Sequence, residues 1–288
     1  MPQYVLLNGE VVAADEARIS VWDGGFLHGA GLFETIRAEH GRLFRLEQHV
    51  ARLRRSAETL LSPIDRARLP SANDFARLLE MNELTSARVR LTVTAGSMSP
   101  ASETQQAALT VCATAAPLSG YPDEMYRTGI AVVISRYRQS RSDPLAGHKC
   151  TSYLPRLLAL RHAHAAHCME ALWFTPEHLL AEGSISNVFV IKAGRLTTPP
   201  LDTPVLPGIA REVTMECAKE AGMVVEERAV NIDDLLDADE VFLTNSMMRI
   251  MPVIRIERRD IGAGKPGETT RKLLERYHQT VERECQSP

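Results

Sequence analysis

The spacing of apolar residues changes repeatedly along this chain, and that change constrains the fold more than any single motif. Residues 88–94 alternate between polar and apolar side chains, which is typical of a strand with one buried face. Residues 46–60 carry apolar side chains at every third or fourth position, which predicts one apolar stripe on a helix. Strands and helices do not follow each other at the regular spacing of a parallel βαβ array. We therefore predict a mixed fold of the α/β type, α+β in detail.

The predicted elements are spread over the whole chain. The predicted strands are 4–7, 11–12, 32–37, 88–94, 108–113, 130–134, 171–174, 179–182, 187–192 and 240–244. The predicted helices are 46–60, 71–83, 154–168 and 208–222, with Ser71 as the N-cap of the second. Residues 23–31 are rich in glycine and are predicted to form a loop. Residues 97–106 are polar, include Pro100 and are predicted to form a mobile lid.

Two domains fit the length of the chain and its most loop-like segment. A chain of 288 residues is long enough for one large domain or two modest ones. Residues 116–128 hold two prolines and a glycine, which is typical of a linker. We predict a small N-terminal α/β domain over 1–115 and a large C-terminal domain over 129–288.

Composition excludes several classes of protein. The net charge of −3 and the pI near 6.3 argue against a nucleic-acid surface. No apolar run approaches the roughly 20 residues that a membrane span needs. The chain has five cysteines, an odd number, and they are scattered along the sequence. Together with the lack of a signal-peptide pattern, this predicts a cytoplasmic protein. The histidines at 162, 164 and 167 cannot all face one metal from a helix, so no metal site is predicted.

Lysine is rare in this chain, which draws attention to those that remain. Only five of the 33 basic residues are lysines. Lysine, unlike arginine, can lose its proton and act as a nucleophile. Lys149 lies between a polar loop and an apolar helix, where its amine could form a Schiff base with a carbonyl substrate or with pyridoxal phosphate. A lysine taken without such context is a solvated surface amine.

Glu182 lies between two apolar segments. Leu179 to Ala181 precede it and Val188 to Val190 close the motif, so an unpaired carboxylate here would be costly. A protonated ring nitrogen would be a suitable partner, and the turn at 183–187 offers short hydroxyls and amides, Ser186 and Asn187 among them. The alternative is a glutamate that ends a strand at a hairpin.

A glycine precedes an apolar helical stripe at residues 206–211. Gly208 at a helix start would leave several backbone N–H groups exposed to an anion. The alternative is an ordinary entry from a loop into a helix.

Together these residues resemble the class IV, or fold type IV, pyridoxal-phosphate enzymes. That family holds branched-chain and D-amino-acid aminotransferases, (R)-amine transaminases and aminodeoxychorismate lyase. The matching blocks are 23–37, 49–57, the Lys149 region, 182–187, 198–201, 206–211 and 242–246. Each block alone is a weak signal, but their joint occurrence in the family's order is specific. The resemblance implies two α/β lobes with the cofactor between them, in a homodimer.

The resemblance also implies residue roles. Lys149 matches the lysine that forms the Schiff base and moves the proton between Cα and C4′ of the cofactor. Glu182 matches the carboxylate that keeps the pyridine nitrogen protonated, and Arg52 matches the arginine that pairs with the phosphate. The remaining implied cofactor contacts are Ile209 and Ala210 by their amides, Ser246 by its hydroxyl, Tyr153 at the ring hydroxyl, and Ser186 and Asn187 in the turn.

The substrate residues carry the marks of more than one subfamily. Ala95 stands where D-amino-acid aminotransferases have an arginine, and Arg90 lies where branched-chain aminotransferases carry one. Thr35 matches a threonine that assists elimination in the lyase. The candidate substrate contacts are His28, Phe33, Arg37 and Arg90.

Three functions remain open at this point. The first is an aminotransferase that moves an amino group between an amino acid or amine and a keto acid. The second is 4-amino-4-deoxychorismate lyase, which releases pyruvate and 4-aminobenzoate by β-elimination. The third is a cofactor-binding protein without catalysis, which the presence of both Lys149 and Glu182 disfavours. We favour the aminotransferase because it is the commoner activity on this scaffold.

Overall fold

The computed structural model describes residues 3–99 and 109–286. The chain divides into two compact units. The first unit comprises Met1–Ser119, His148–Ser152 and Val281–Pro288, and the second comprises Gly120–Gly147 and Tyr153–Thr280. The sequence-based boundaries, 1–115 and 129–288, stay a prediction.

The described residues of the first unit form a six-stranded antiparallel sheet. Its strands are β1 (Tyr4–Leu7), β2 (Glu10–Ala13), β3 (Gly31–Glu39), β4 (Arg42–Leu43), β5 (Ala87–Thr94) and β6 (Thr110–Pro117). Their order across the sheet is β2-β1-β6-β5-β3-β4. The alternation predicted for residues 88–94 is confirmed, since Val89, Leu91 and Val93 are buried while Arg88 and Arg90 are exposed. One face of this sheet is therefore apolar and the other is polar.

Helix α2 covers the apolar face of β3. The helices of the first unit are α1 (Gly24–His28), α2 (Leu46–Leu60) and α3 (Ala72–Met81). α2 packs on β3 and buries Val50, Leu53 and Ala57, as its apolar stripe predicts. The predicted N-cap Ser71 is confirmed, because its hydroxyl accepts from the amide of Asp74 in a capping box.

The described part of the second unit is built on a nine-stranded mixed sheet. Its strands are β7 (Ile130–Arg138), β8 (Glu170–Phe174), β9 (Leu180–Gly183), β10 (Asn187–Lys192), β11 (Arg195–Thr198), β12 (Val224–Glu227), β13 (Glu240–Asn245), β14 (Arg249–Ile256) and β15 (Arg259–Asp260). Their order is β12-β11-β10-β13-β14-β7-β8-β9, with β15 paired to β14. The pairs β11–β12, β14–β7 and β7–β8 are parallel and the others are antiparallel.

Five further helices complete the described chain. They are α4 (Asp123–Thr128), α5 (Leu154–Ala165), α6 (Ile209–Glu220), α7 (Ile232–Leu236) and α8 (Glu268–Gln286). α6 packs on β13, where the rings of Phe189 and Phe242 stack with centroids 5.0 Å apart. The other face of these strands, with Val188 and Leu243, joins the main apolar core of the unit.

Several elements, α8 and β14 among them, were not predicted from the sequence, and three segments that were predicted differ in the structure. The glycine-rich loop at 23–31 contains the short helix α1, and the segment 116–128 contains the end of β6 and all of α4. The helix predicted over 154–168 ends at Ala165, and His167 beyond it has a left-handed backbone with φ 57°. Most of the predicted lid, 97–106, lies outside the described residues. No helix in 3–99 and 109–286 has the length and apolar character to cross a bilayer.

Candidate active site

Lys149 lies in a short segment that is hydrogen-bonded to β3. Its carbonyl oxygen accepts a hydrogen bond from the amide of Phe33 at 2.9 Å, and Cys150 forms a β-bridge with Leu32. The amide of Thr151 in turn donates to the carbonyl of Gly31 at 2.8 Å. The lysine segment therefore continues the sheet beside β3, which fixes the direction of the Lys149 side chain.

The Lys149 amine shares an aromatic ring with an arginine. Its Nζ lies 4.6 Å from the centroid of the Phe33 ring, and the guanidinium carbon of Arg90 lies 3.8 Å from the same centroid. Arg90 also donates from Nε to the hydroxyl of Thr92 at 3.1 Å. Thr35 pairs with Arg90 across β3 and β5, on the same face of the sheet. The structure thus brings together four predicted residues: Lys149, Phe33, Thr35 and Arg90.

Two predicted substrate residues have other surroundings. Arg37 is buried and pairs with Glu39 at 2.7 Å. His28 is exposed and is the last residue of α1.

Arg52 belongs to a buried charged cluster that sequence reasoning missed. Glu34 accepts from Nε and Nη2 of Arg52 at 2.9 and 2.5 Å, and from Nδ1 of His49 at 2.7 Å. All three side chains are buried, with Glu34 only 1% exposed. His49 and Arg52 lie three residues apart on α2, so they share the face that meets β3. A glutamate within the apolar run of β3 was the available signal.

The charges of this cluster balance. Burial raises the pKa of Glu34, but Arg52 and His49 outweigh it and lower that pKa to about 2. Burial lowers the pKa of His49, although Glu34 acts in the opposite direction. Glu34 is therefore ionised and His49 neutral at neutral pH, with Nδ1 of His49 as the donor. Glu34 holds the Arg52 guanidinium in one orientation through a bidentate contact.

In the second unit, Glu182 already has an arginine partner. Arg156 donates from Nη2 to Oε1 of Glu182 at 2.6 Å, and the amide of Leu206 donates to Oε2 at 2.9 Å. Gln139 and Asn187 add longer contacts at 3.3 and 3.5 Å. Burial lowers the pKa of Arg156, but Glu182, Tyr153 and Glu170 together raise it more, so the net shift is upward. Arg156 is the second residue that sequence reasoning missed.

The turn after Glu182 is organised by another buried carboxylate, Glu170. Its Oε1 accepts from the amides of Ala171 and Ser184 at 2.8 and 3.0 Å. Its Oε2 accepts from the amide of Ile185 at 3.1 Å and the hydroxyl of Ser186 at 2.9 Å. Burial raises the pKa of Glu170 despite these donors.

The carbonyl groups of the same turn are also paired. Arg156 donates to the carbonyls of Gly183 and Ser184, each at 3.1 Å. The hydroxyl of Tyr153 donates to the carbonyl of Ser184 at 2.9 Å. The predicted residues Tyr153 and Ser186 therefore hold the turn that positions Glu182 and Asn187.

The start of α6 has the form of an anion site. Gly208 is its N-cap, and among the described residues no side chain caps the first turn. A Cβ at position 208 would collide with Oδ1 of Asn187, so only glycine fits there. The amides of Ile209 and Ala210 belong to this first turn, and Ser246 directly follows β13. Such a helix start favours a phosphate group.

The chemistry of these groups fits pyridoxal phosphate. An uncapped helix start and an oriented guanidinium are suited to a phosphate dianion. A buried carboxylate held in place by Arg156 is suited to a protonated pyridine nitrogen, and the Lys149 amine is suited to an aldehyde. The residues present therefore satisfy the chemical requirements of this cofactor.

Comparisons with known proteins agree with this chemistry. The family model for amino-transferase class IV matches residues 31–256. The D-alanine aminotransferase of Bacillus licheniformis is 32% identical over 272 residues, covering 93% of this chain and 94% of the relative. The aminodeoxychorismate lyase of Bacillus subtilis is 31% identical over 281 residues, covering 96% and 94%. A branched-chain amino acid aminotransferase of T.th., solved with pyridoxamine 5'-phosphate, aligns with a TM-score of 0.87 and 27% identity over 98% of this chain and 94% of that one.

Proposed function

Because this chain belongs to the class IV aminotransferase family, we propose that it uses pyridoxal phosphate to move an amino group between an amino acid or amine and a keto acid. The observation that carries the proposal is the position of Lys149. Its backbone is hydrogen-bonded to β3, and its amine lies over Phe33 beside Arg90. When bound, the cofactor supplies an electron sink for the electron pair left behind by the Cα proton.

Lys149 is the residue that moves the proton. Its amine takes the proton from the Cα of the substrate and returns it at C4′ of the cofactor. The nearby ring of Phe33 stabilises the protonated form of the amine through a cation–π contact. The hydrogen bond between Lys149 and Phe33 keeps the base on this face of the sheet.

Arg52 and the first turn of α6 bind the phosphate. Glu34 fixes the guanidinium of Arg52, so little side-chain entropy is lost when the anion arrives. The amides of Ile209 and Ala210 contribute oriented dipoles, and Ser246 contributes a hydroxyl.

Glu182 holds the proton on the ring nitrogen. Arg156 donates to the Glu182 carboxylate and fixes its orientation, so that Glu182 is placed to accept a hydrogen bond from a protonated ring nitrogen. Glu170 and Tyr153 hold the backbone of the turn that follows Glu182, and this turn helps to fix the position of the carboxylate. Ser186 and Asn187 act within that turn.

The polar face of the first sheet supports a carboxylate-bearing substrate. Arg90 lies on the face that carries Lys149, and we propose that it pairs with the anionic part of the substrate. Phe33 lines the same place, while His28 and Arg37 stay candidates for contacts with a larger substrate.

Aminodeoxychorismate lyase is the second candidate function. Thr35 lies on the same face of β3 as Phe33 and pairs in register with Arg90. Its hydroxyl would then assist the departure of a leaving group near the Lys149 amine. A relative with that name is 31% identical over nearly the whole chain. Both reactions begin with the same proton removal by Lys149.

A titration with single amino donors separates the two candidates. The purified protein with its cofactor is scanned for absorbance while L-branched-chain amino acids, L-glutamate, D-alanine or (R)-1-phenylethylamine is added without an acceptor. If the protein is an aminotransferase, we expect one donor to bleach the long-wavelength absorbance band of the bound cofactor and a keto acid to restore it. If no donor bleaches the band while aminodeoxychorismate yields pyruvate, the lyase is correct.

We also propose a cytoplasmic homodimer. Exposed apolar side chains cluster in the segment 19–27, where Val21 and Phe26 are 67% and 75% exposed. A second copy of the chain would cover this surface. Within the described residues no disulfide joins the five cysteines, which supports a reducing compartment.

A further inference from the structure

Thr244 is a buried residue next to the last position of β13. It is 1% exposed and pairs in register with Asn187 of β10. Strand alternation places Thr244 on the face of Phe242, whose ring stacks on Phe189. Helix α6 packs against β13.

The hydroxyl of Thr244 has no hydrogen-bond partner in the described part of the chain. Other buried threonines of the second unit do have partners. Thr198 donates to the carbonyl of Val188 at 2.8 Å, and Thr270 donates to Oε2 of Glu240 at 2.6 Å. A buried hydroxyl without a partner costs stability, so its retention calls for a ligand.

The neighbours of Thr244 indicate what that ligand is. Asn187, its partner across the strands, donates to the carbonyl of Leu206 at 2.9 Å, and its Oδ1 fills the space beside Gly208. Thr244 therefore lies beside the residues that lead into α6. The first turn of that helix offers amides that no described side chain caps. The unpartnered hydroxyl and the uncapped helix start thus both adjoin Asn187.

We propose that the Thr244 hydroxyl donates a hydrogen bond to the phosphate of the cofactor, together with the amides of Ile209 and Ala210. The assignment rests on the proposed function, because it takes the phosphate of pyridoxal phosphate as the anion. The phosphate oxygen gives the hydroxyl the acceptor that the protein does not supply. Thr244 is then a binding residue, and its hydroxyl costs stability whenever the phosphate is absent.

The isosteric variant Thr244→Val tests this assignment, because it removes the hydroxyl and keeps the shape. Affinity is measured on the full chain for pyridoxal 5'-phosphate and for pyridoxal, which lacks the phosphate. Thermal unfolding is measured without either ligand. We expect affinity for pyridoxal phosphate to fall about tenfold or more, as for one lost hydrogen bond to a charged group. Affinity for pyridoxal stays unchanged, and the Tm of the cofactor-free protein does not fall.

Thr270→Val is the matched control, because its hydroxyl is buried and already bonded to Glu240. This variant lowers the Tm and leaves the preference for the phosphorylated ligand intact. If Thr244→Val keeps the wild-type preference, or lowers the Tm as the control does, the assignment is wrong. If the wild-type protein itself shows no preference for pyridoxal phosphate over pyridoxal, the proposed function fails, and the assignment fails with it.

Discussion

Two buried glutamates, Glu34 in the first unit and Glu170 in the second, differ in how the protein neutralises them. Each is 1% exposed and accepts several hydrogen bonds. Glu34 faces a guanidinium, and its pKa falls to about 2 despite burial. Glu170 accepts its hydrogen bonds from amides and a hydroxyl, and burial raises its pKa. Hydrogen bonds from neutral donors therefore do not replace a counter-ion in a dry site.

The difference follows from what each carboxylate does. Glu34 orients a charged side chain, Arg52, that is itself a candidate phosphate ligand. Glu170 shapes the backbone of a turn by accepting from the amides of Ser184 and Ile185. A guanidinium requires a charged partner when buried, whereas a turn requires only acceptors.

The largest effect is expected from Glu34→Gln, which leaves the Arg52 guanidinium buried without its counter-ion. The cost is about 3–5 kcal/mol of unfolding free energy, as for other broken buried pairs. Urea unfolding of the cofactor-free chain at neutral pH measures it. The control is Glu124→Gln, which breaks an exposed pair with Arg127 and should cost far less. Equal losses in the two variants would show that the buried cluster is not held by charge.

A smaller loss is expected from Glu170→Gln. The amide NH₂ replaces one acceptor oxygen and points a donor at the donors of the turn. The cost is about 1–3 kcal/mol, because the hydrogen-bond donors to Glu170 are uncharged amides and a hydroxyl. Urea unfolding measures it beside Glu34→Gln, and a loss larger than that of Glu34→Gln would reverse the comparison.

The two variants should also differ in the sign of their pH dependence. The pKa of Glu34 is lowered from 4.5 to about 2. Its stabilising contribution to the free energy of unfolding is therefore present above pH 4.5 and lost as the pH falls towards 2. The pKa of Glu170 is raised, so its contribution is present below pH 4.5 and lost as the pH rises through the raised value. Urea unfolding across this range checks both slopes. For each residue, the free energy of unfolding of the variant is subtracted from that of the wild type at each pH. If this difference changes with pH in the same direction for both residues, the contrast between them is wrong.

Elements whose cause is local could be predicted from the sequence. The alternation of 88–94 and the stripe of 46–60 are both confirmed, because each pattern records which side chains face the core. The helix α1 could not be predicted, because glycine disfavours helices. Asp23 caps α1 at the amide of Gly25, and the hydroxyls of Thr94 and Thr110 hold that carboxylate in place. Those two partners are distant in sequence.

The residues proposed to contact the cofactor could be predicted from the sequence, but the residues that hold them in place could not. Lys149, Glu182 and Arg52 follow from motif resemblance, and their roles stay predictions. Glu34 contacts Arg52, and Arg156 contacts Glu182. Each contact joins segments that are apart in the sequence, so no local pattern predicts it. Glu170 could have been found, since it stands in an apolar run as Glu182 does and the same cost of burial applies.

The most direct test of the account is to locate the lysine that reacts with the cofactor. The protein loaded with pyridoxal phosphate is reduced with borohydride, which fixes the cofactor to its amine, and its peptides are then analysed by mass spectrometry. With only five lysines in the chain, the assignment is unambiguous. The account predicts one pyridoxyl group, on the peptide that contains Lys149. A label on Lys192, Lys219, Lys265 or Lys272, or no label at all, would contradict it.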